Sequence, residues 1–224
     1  RDADGGYAEF MVVSADFAYP IPPQLDDAEA APLLCAGAIG YRSLRLTGLG
    51  EQGRLGLTGF GASGHLVLKL VRAARPAVEV YVFTRSEAER RFALDLGAVW
   101  AGDTADASPE PLDAIIDTTP AWRPVVEALG NLRPGGRLVI NAIRKEPADQ
   151  SELVRLRYER HLWMEKEIKS VANVARRDVR ELLDLAARHA LRPELRTYRL
   201  EEANVALRDL KRGGQPGAKV LCVG

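Results

Sequence analysis

From about Arg54 onward, apolar residues fall into two alternating patterns: short unbroken runs, and longer stretches with a helical repeat. Short apolar runs suit strands buried on both faces, and their alternation with helical segments is what a parallel sheet of βαβ units requires. Residues 54–58 read as the first strand. A helix over about 63–75 follows, with Leu66, Leu70 and Val71 on one face. Residues 78–83 form a second strand of Val, Tyr and Phe. Ser86-Glu87-Ala88-Glu89 has the form of a capping box, opening a helix that runs to about Leu96 and stops at Gly97. Residues 98–101 and 114–117 supply strands three and four. A helix over 125–132 leads through the turn Arg133-Pro134-Gly135-Gly136 into a fifth strand at 137–140. Residues 168–172 are the sixth strand, and a helix over 178–190 closes the unit. The fold class is α/β, a doubly wound parallel sheet of six strands.

The ends follow another pattern. Residues 1–30 are rich in Pro, Asp and Gly and read as strand and loop. Residues 195–224 give a strand, a helix at 201–211, a Gly213-Gly214 turn and a last strand at 219–223. Neither end is a βαβ unit, so both are expected to belong to a second, split domain. The expected division is 1–36, 37–180 for the nucleotide-binding sheet, and 181–224 for the closing helix and return.

Composition narrows the function. The 31 basic and 31 acidic residues cancel, which leaves no global field for nucleic acid or an anionic membrane. No apolar run approaches the length of a membrane span, and the first residues, which do not begin with Met, lack a secretory pattern. The two cysteines, Cys35 and Cys222, are far apart with no Cys-x-x-Cys, which fits a reducing cytoplasm better than a disulfide scaffold. The chain reads as cytoplasmic and as the continuation of an upstream segment.

Gly59-Phe60-Gly61-Ala62-Ser63-Gly64 matches G-x-G-x-x-G, and it follows an expected strand and opens an expected helix, the context its mechanism demands. Gly59 allows the tight turn, Gly61 lets the backbone approach a pyrophosphate, and Gly64 lets helix and strand pack closely. The freed amides then hold phosphate at a helix N-terminus. NAD-binding sheets carry an acid at the end of the second strand for the ribose hydroxyls. Here that strand ends Phe83-Thr84-Arg85-Ser86, with a guanidinium where one can bind a 2′-phosphate, which favours NADP(H) over NAD(H). Thr118 and Thr119 after strand four, Asn141 and Ala142 after strand five, and Asn173 after strand six stand at carboxyl strand ends, where such sheets bind ligands. His65 is expected to cap or pack; His161 and His189, on charged stretches, are expected at the surface.

Several segments taken in order resemble the zinc-dependent medium-chain dehydrogenase/reductase family, in its zinc-binding alcohol dehydrogenase branch. They are Gly5-Gly6-Tyr7-Ala8-Glu9-Phe10-Met11-Val12-Val13, Ala30-Ala31-Pro32-Leu33-Leu34-Cys35-Ala36-Gly37, the glycine loop with His65-Leu66, Leu94-Asp95-Leu96-Gly97-Ala98, Leu132-Arg133-Pro134-Gly135-Gly136-Arg137, Arg157-Tyr158-Glu159-Arg160-His161-Leu162 and Ser170-Val171-Ala172-Asn173. The resemblance implies that this Rossmann sheet is flanked by remnants of a split GroES-like, β-rich catalytic domain, with residues 5–13 as a strand of it. It implies zinc-assisted hydride transfer between a small alcohol and its aldehyde or ketone, with Cys35 as a thiolate ligand of a catalytic zinc. Ser63, Thr84 and Arg85 would lie along the adenosine phosphates. The family takes its remaining zinc ligands, a Cys and a His-Glu pair, from a region before Gly5, so Cys35 is expected to ligate zinc in a full-length enzyme and to be a free thiol here. A homodimer or homotetramer through sheet-edge pairing is implied for that enzyme. Three alternatives stand beside this reading: a cofactor-binding fragment without catalysis, a zinc-independent quinone or enoyl reductase, and a methyltransferase, against which the missing acid after strand two argues.

Overall fold

The computed structural model describes residues 5–213 and 217–223. The expected turn at Gly213-Gly214 therefore lies partly outside the described residues, as do residues 1–4 of the first expected stretch and Gly224 of the last. Six parallel strands form the central sheet: β1 (Gln52–Thr58), β2 (Ala77–Phe83), β3 (Trp100–Gly102), β4 (Leu112–Asp117), β5 (Leu132–Ile140) and β6 (Glu167–Ser170). Their order is β3-β2-β1-β4-β5-β6, so the chain winds outward from β1 on one side and from β4 on the other. The reversal between β1 and β4 is the switch point of a doubly wound fold, where their carboxyl ends open a crevice.

Alternation along the strands explains the two layers. Leu55, Leu57, Val78, Val80, Val82, Ala114 and Ile116 pack into one cluster. It also takes Val67, Leu68 and Val71 of α3 (Ala62–Ala74) and Leu182 and Ala186 of α7 (Arg176–His189). The intervening residues Tyr81, Phe83 and Ile115, with Leu138 of β5, face the other way onto Val125 and Leu129 of α5 (Arg123–Asn131). A side chain every two residues on each face makes both layers apolar, which is why these strands read as continuous apolar runs.

The expected turn at residues 133–136 is absorbed into β5. Leu132 pairs with Leu112 and Arg137 with Ala114, so the intervening residues bulge between two aligned registers. The bulge needs Gly135, whose φ is +70°. β6 is an edge strand with all four residues exposed. The capping box at Ser86 is half formed: Ser86 Oγ accepts the Glu89 amide at 3.3 Å, but the Glu89 carboxylate turns elsewhere.

Before the sheet lie α1 (Asp27–Pro32), a π-turn (Leu33–Gly37) and α2 (Ala38–Thr47). Asp178 of α7, fully buried, receives Arg42 Nη1 at 2.8 Å and Arg45, clamping α2 to α7. After α7, β7 (Leu195–Arg199) and β8 (Ala218–Cys222) pair parallel as a separate two-stranded sheet, with α8 (Ala203–Arg212) between them. The strand expected over residues 5–13 does not form. Phe10 and Val12 are each 89% exposed, and no described strand pairs with them. A strand is stabilised by its ladder and its cross-strand neighbours, and this segment has neither.

Candidate active site

The site begins at the end of β1. Gly59 sits at φ +78°, and an added Cβ there would meet Thr118 Oγ1 at 2.8 Å and Thr119 Cγ2 at 2.9 Å. An added Cβ on Gly64 would lie 2.7 Å from the Gly59 carbonyl oxygen. The protein itself therefore requires glycine at both positions. Gly61 is different: φ is −79°, and a Cβ there would meet nothing within 4 Å. Nothing in the chain demands its smallness, which is what close approach of a ligand to the backbone would demand. Gly61 is also the N-cap of α3, without a side-chain cap and without an acid in the first turn. An uncapped helix N-terminus free of negative charge fits a phosphate.

Around this point the strand ends converge. Thr84 follows β2 and is buried, whereas Arg85 is exposed and pairs with no carboxylate among the described residues. Thr118 and Thr119 follow β4, and Asn141 and Ala142 follow β5, all partly buried. Ala62 and Ser63 occupy the first turn of α3. Thr118 Oγ1 donates inward to the Thr58 carbonyl at 3.0 Å, so its hydroxyl braces the loop. The Asn141 amide nitrogen Nδ2 is buried without a hydrogen-bond partner, a donor left over at the mouth of the crevice. Asn173 lies beyond β6 in a left-handed conformation, exposed, with φ +57°.

Two groups that sequence reasoning missed hold the crevice together. Asp117, the last residue of β4, is fully buried. Its carboxylate accepts Thr58 Oγ1 at 2.6 Å, Thr119 Oγ1 at 2.8 Å, and the ammonium of Lys145. Lys145 also donates to the Thr119 and Ala121 carbonyls, each at 2.8 Å. One buried cation thus ties the loop after β5 to the loop after β4. Asp149 completes the loop by accepting the Trp122 and Arg123 amides at the start of α5, each at 2.9 Å. Burial would raise the Asp149 carboxyl, but those amides outweigh it and hold it below the ordinary carboxylate range.

The histidines divide unexpectedly. His65, on α3, is completely buried, and its Nδ1 lies 3.3 Å from the Gly61 carbonyl. A carbonyl only accepts, so the proton sits on Nδ1, and Nε2 is left unpaired. Burial pushes its pKa down to about 4, so it is neutral at pH 7. His161, expected at the surface, is buried: α6 (Tyr158–His161) folds it inward, and its Nδ1 accepts the Arg157 amide at 2.9 Å. Burial first, then the cations Arg160 and Lys166, lower its pKa. Its charged sequence neighbours hid an inward-facing ring. His189 is exposed as expected.

Cys35 lies in the π-turn with an exposed thiol, not buried as a small apolar group would be. Single π-turns recur at functional positions. Among the described residues no three His, Cys, Asp or Glu side chains stand together as a metal site, so these residues alone do not make the zinc centre that the resemblance implies. No described helix is long and apolar enough to cross a membrane. The groove between α2, α3 and α7 lies away from the carboxyl strand ends, and part of its polar rim is already paired, Tyr41 donating to Glu181 at 2.8 Å.

Residues 77–221 match the zinc-binding dehydrogenase family. The chain is 45% identical over 222 residues to "Probable alcohol dehydrogenase AdhA" of Mycobacterium tuberculosis, covering 99% of this chain and 62% of the relative. It therefore spans less than two thirds of that relative's length. The alcohol dehydrogenase of Aeropyrum pernix superposes with a TM-score of 0.81 at 24% identity, over 96% of this chain and 64% of that one. CAD from Helicobacter pylori, solved with NADP(H), gives a TM-score of 0.69 at 24% identity, over 86% and 54%. These two share the fold of a six-stranded doubly wound sheet with flanking helices. The chain belongs to the zinc-binding dehydrogenase family.

Proposed function

We propose that this chain is the cofactor-binding part of an oxidoreductase that interconverts a small alcohol and its aldehyde or ketone, using NADP(H) in preference to NAD(H). The observation that carries the reading is Gly61. It stands uncapped at the head of α3, beside the β1/β4 switch point, with open space where a side chain would be. The M. tuberculosis relative bears an alcohol dehydrogenase name, which supports the substrate class. In that reaction the alcohol carbon gives hydride to the nicotinamide, the hydroxyl proton leaves, and a carbonyl and reduced cofactor result. The protein's part is to bind and orient the cofactor along the strand ends and to keep water out.

Preference for NADP(H) is supported by Arg85, exposed beside the end of β2 and free of any carboxylate among the described residues. The H. pylori neighbour, solved with NADP(H), is consistent with it. Fluorescence titration of the chain with NADPH and NADH tests this. NADPH should bind more tightly, and Arg85→Ala should cost about tenfold or more in NADPH affinity, the worth of a charge-assisted hydrogen bond. Equal affinities unaffected by the substitution would refute it.

Cys35 is proposed as one thiolate ligand of a zinc ion that polarises the substrate oxygen when bound, its other ligands lying outside the described residues. Metal analysis tests this. The 224-residue chain should carry no stoichiometric zinc, whereas a longer form should carry it and lose one equivalent on Cys35→Ala. Edge-to-edge pairing through β6, exposed and carrying Ile168, is the proposed route to a dimer or tetramer.

A further inference from the structure

Where the sequence has no acid at the end of β2, the fold brings one in from the next helix. Glu89 is the third residue of α4 (Glu87–Asp95), and its Oε2 accepts the Thr84 hydroxyl at 2.5 Å. Thr84 stands directly after β2, at the position whose side chain holds the adenosine ribose in dinucleotide-binding sheets. Its hydroxyl is spent on Glu89, and its oxygen lies 3.5 Å from the Ser86 amide, so Thr84 serves to hold the carboxylate in place. The other carboxylate oxygen, Oε1, has no donor among the described residues. Arg90, the next residue, is tied to this loop: Nη1 donates to the Thr84 carbonyl at 2.7 Å and the Arg85 carbonyl at 3.2 Å, and stands 3.7 Å from Asp103. It fixes the backbone of the Thr84-Arg85 loop and leaves Arg85 as the uncommitted cation.

We propose that Glu89 is a specificity-determining residue that opposes Arg85. Its carboxylate accepts from a ribose hydroxyl and repels a 2′-phosphate, so the two side chains pull the choice of cofactor in opposite directions. This rests on the cofactor reading of the crevice. The protein then uses both cofactors, with Glu89 limiting a preference for NADPH that Arg85 creates.

The test compares the full chain with Glu89→Gln, Glu87→Gln and Arg85→Ala, titrated with NADPH, NADH, and the ribose-end probes 2′,5′-ADP and 5′-ADP. Gln keeps an oxygen for Thr84 while removing the charge. Glu87 is a charge control on the same turn, exposed and paired with Arg91 at 2.9 Å. Glu89→Gln should raise the NADPH-to-NADH affinity ratio about fivefold, which corresponds to about 1 kcal/mol, one unit charge removed at close range in a largely aqueous setting. The same shift should appear with the two ADP probes, and Glu87→Gln should not produce it. A ratio unchanged by Glu89→Gln but lowered by Arg85→Ala would overturn the proposal and leave the cofactor reading intact. So would an equal rise in both Gln variants. Failure of the folded wild-type chain to bind any of the four ligands would overturn the reading and the proposal together.

Discussion

Replacing Gly61 and Gly64 in turn by Ala separates what the fold needs from what a ligand needs. At Gly64 the new Cβ would stand 2.7 Å from the Gly59 carbonyl oxygen, a backbone atom that yields only if α3 backs away from β1. Such overpacking costs about 1–3 kcal/mol. At Gly61 the new methyl meets nothing, and φ of −79° suits alanine. Alanine is the poorer N-cap by about half a kcal/mol or more, but it lowers the entropy of the unfolded chain by about 0.4–1 kcal/mol, so the two nearly cancel. Gly64→Ala should therefore lower the urea midpoint of unfolding clearly, while Gly61→Ala should leave it within about 0.5 kcal/mol of wild type. Gly61→Ala should nevertheless lose about tenfold or more in NADPH affinity, because its methyl occupies the space the pyrophosphate needs. Wild-type affinity in a stable Gly61→Ala variant would refute the argument that this glycine exists for a ligand.

Two further perturbations follow from buried charge and buried imidazole. Lys145→Met leaves the buried Asp117 carboxylate without its cation, which should cost about 3 kcal/mol on chemical denaturation and weaken cofactor binding by freeing residues 119–122; a loss under 1 kcal/mol would show that Thr58 and Thr119 suffice. His65 titrates near 6.5 when unfolded and at about 4 when folded, so between those values the unfolded chain binds the extra proton. The stability tied to keeping His65 neutral is complete above pH 6.5 and is lost as pH falls through 6.5 to 4, about 3 kcal/mol in all. His65→Met should flatten the stability profile over that window relative to wild type, and parallel profiles would contradict the burial argument.

The sheet was legible because its signal is local and repeated. β1, β2 and β4 bury both faces, so each appears as an apolar run, and the structure moves their ends by only a residue or two. The glycine loop was legible for the same reason, since turn, helix start and close packing all fall within Gly59–Gly64. Residues 5–13 were expected as a strand from their resemblance to a family segment, but resemblance does not supply a neighbour to pair with, and no described strand stands beside them. Lys145 and Asp117 are 28 positions apart and meet only because β4 and β5 lie side by side. Glu89 was visible as a capping acid, and its sequence pattern assigned it to the Ser86 amide; the Thr84 hydroxyl, presented by β2 at the same place, takes it instead. His161 shows the converse error, because charge density along a chain says little about one ring on a four-residue helix.

Amide chemical-shift mapping of the isotopically labelled chain during addition of NADP⁺ tests the central claim most directly. The account predicts saturable shifts concentrated at Gly61, Ala62, Ser63 and Gly64 of the α3 N-terminus, with Thr84 and Arg85 after β2 and Thr119 after β4 moving alongside. A folded chain whose shifts stay still, or move only at sites away from these strand ends, would contradict it.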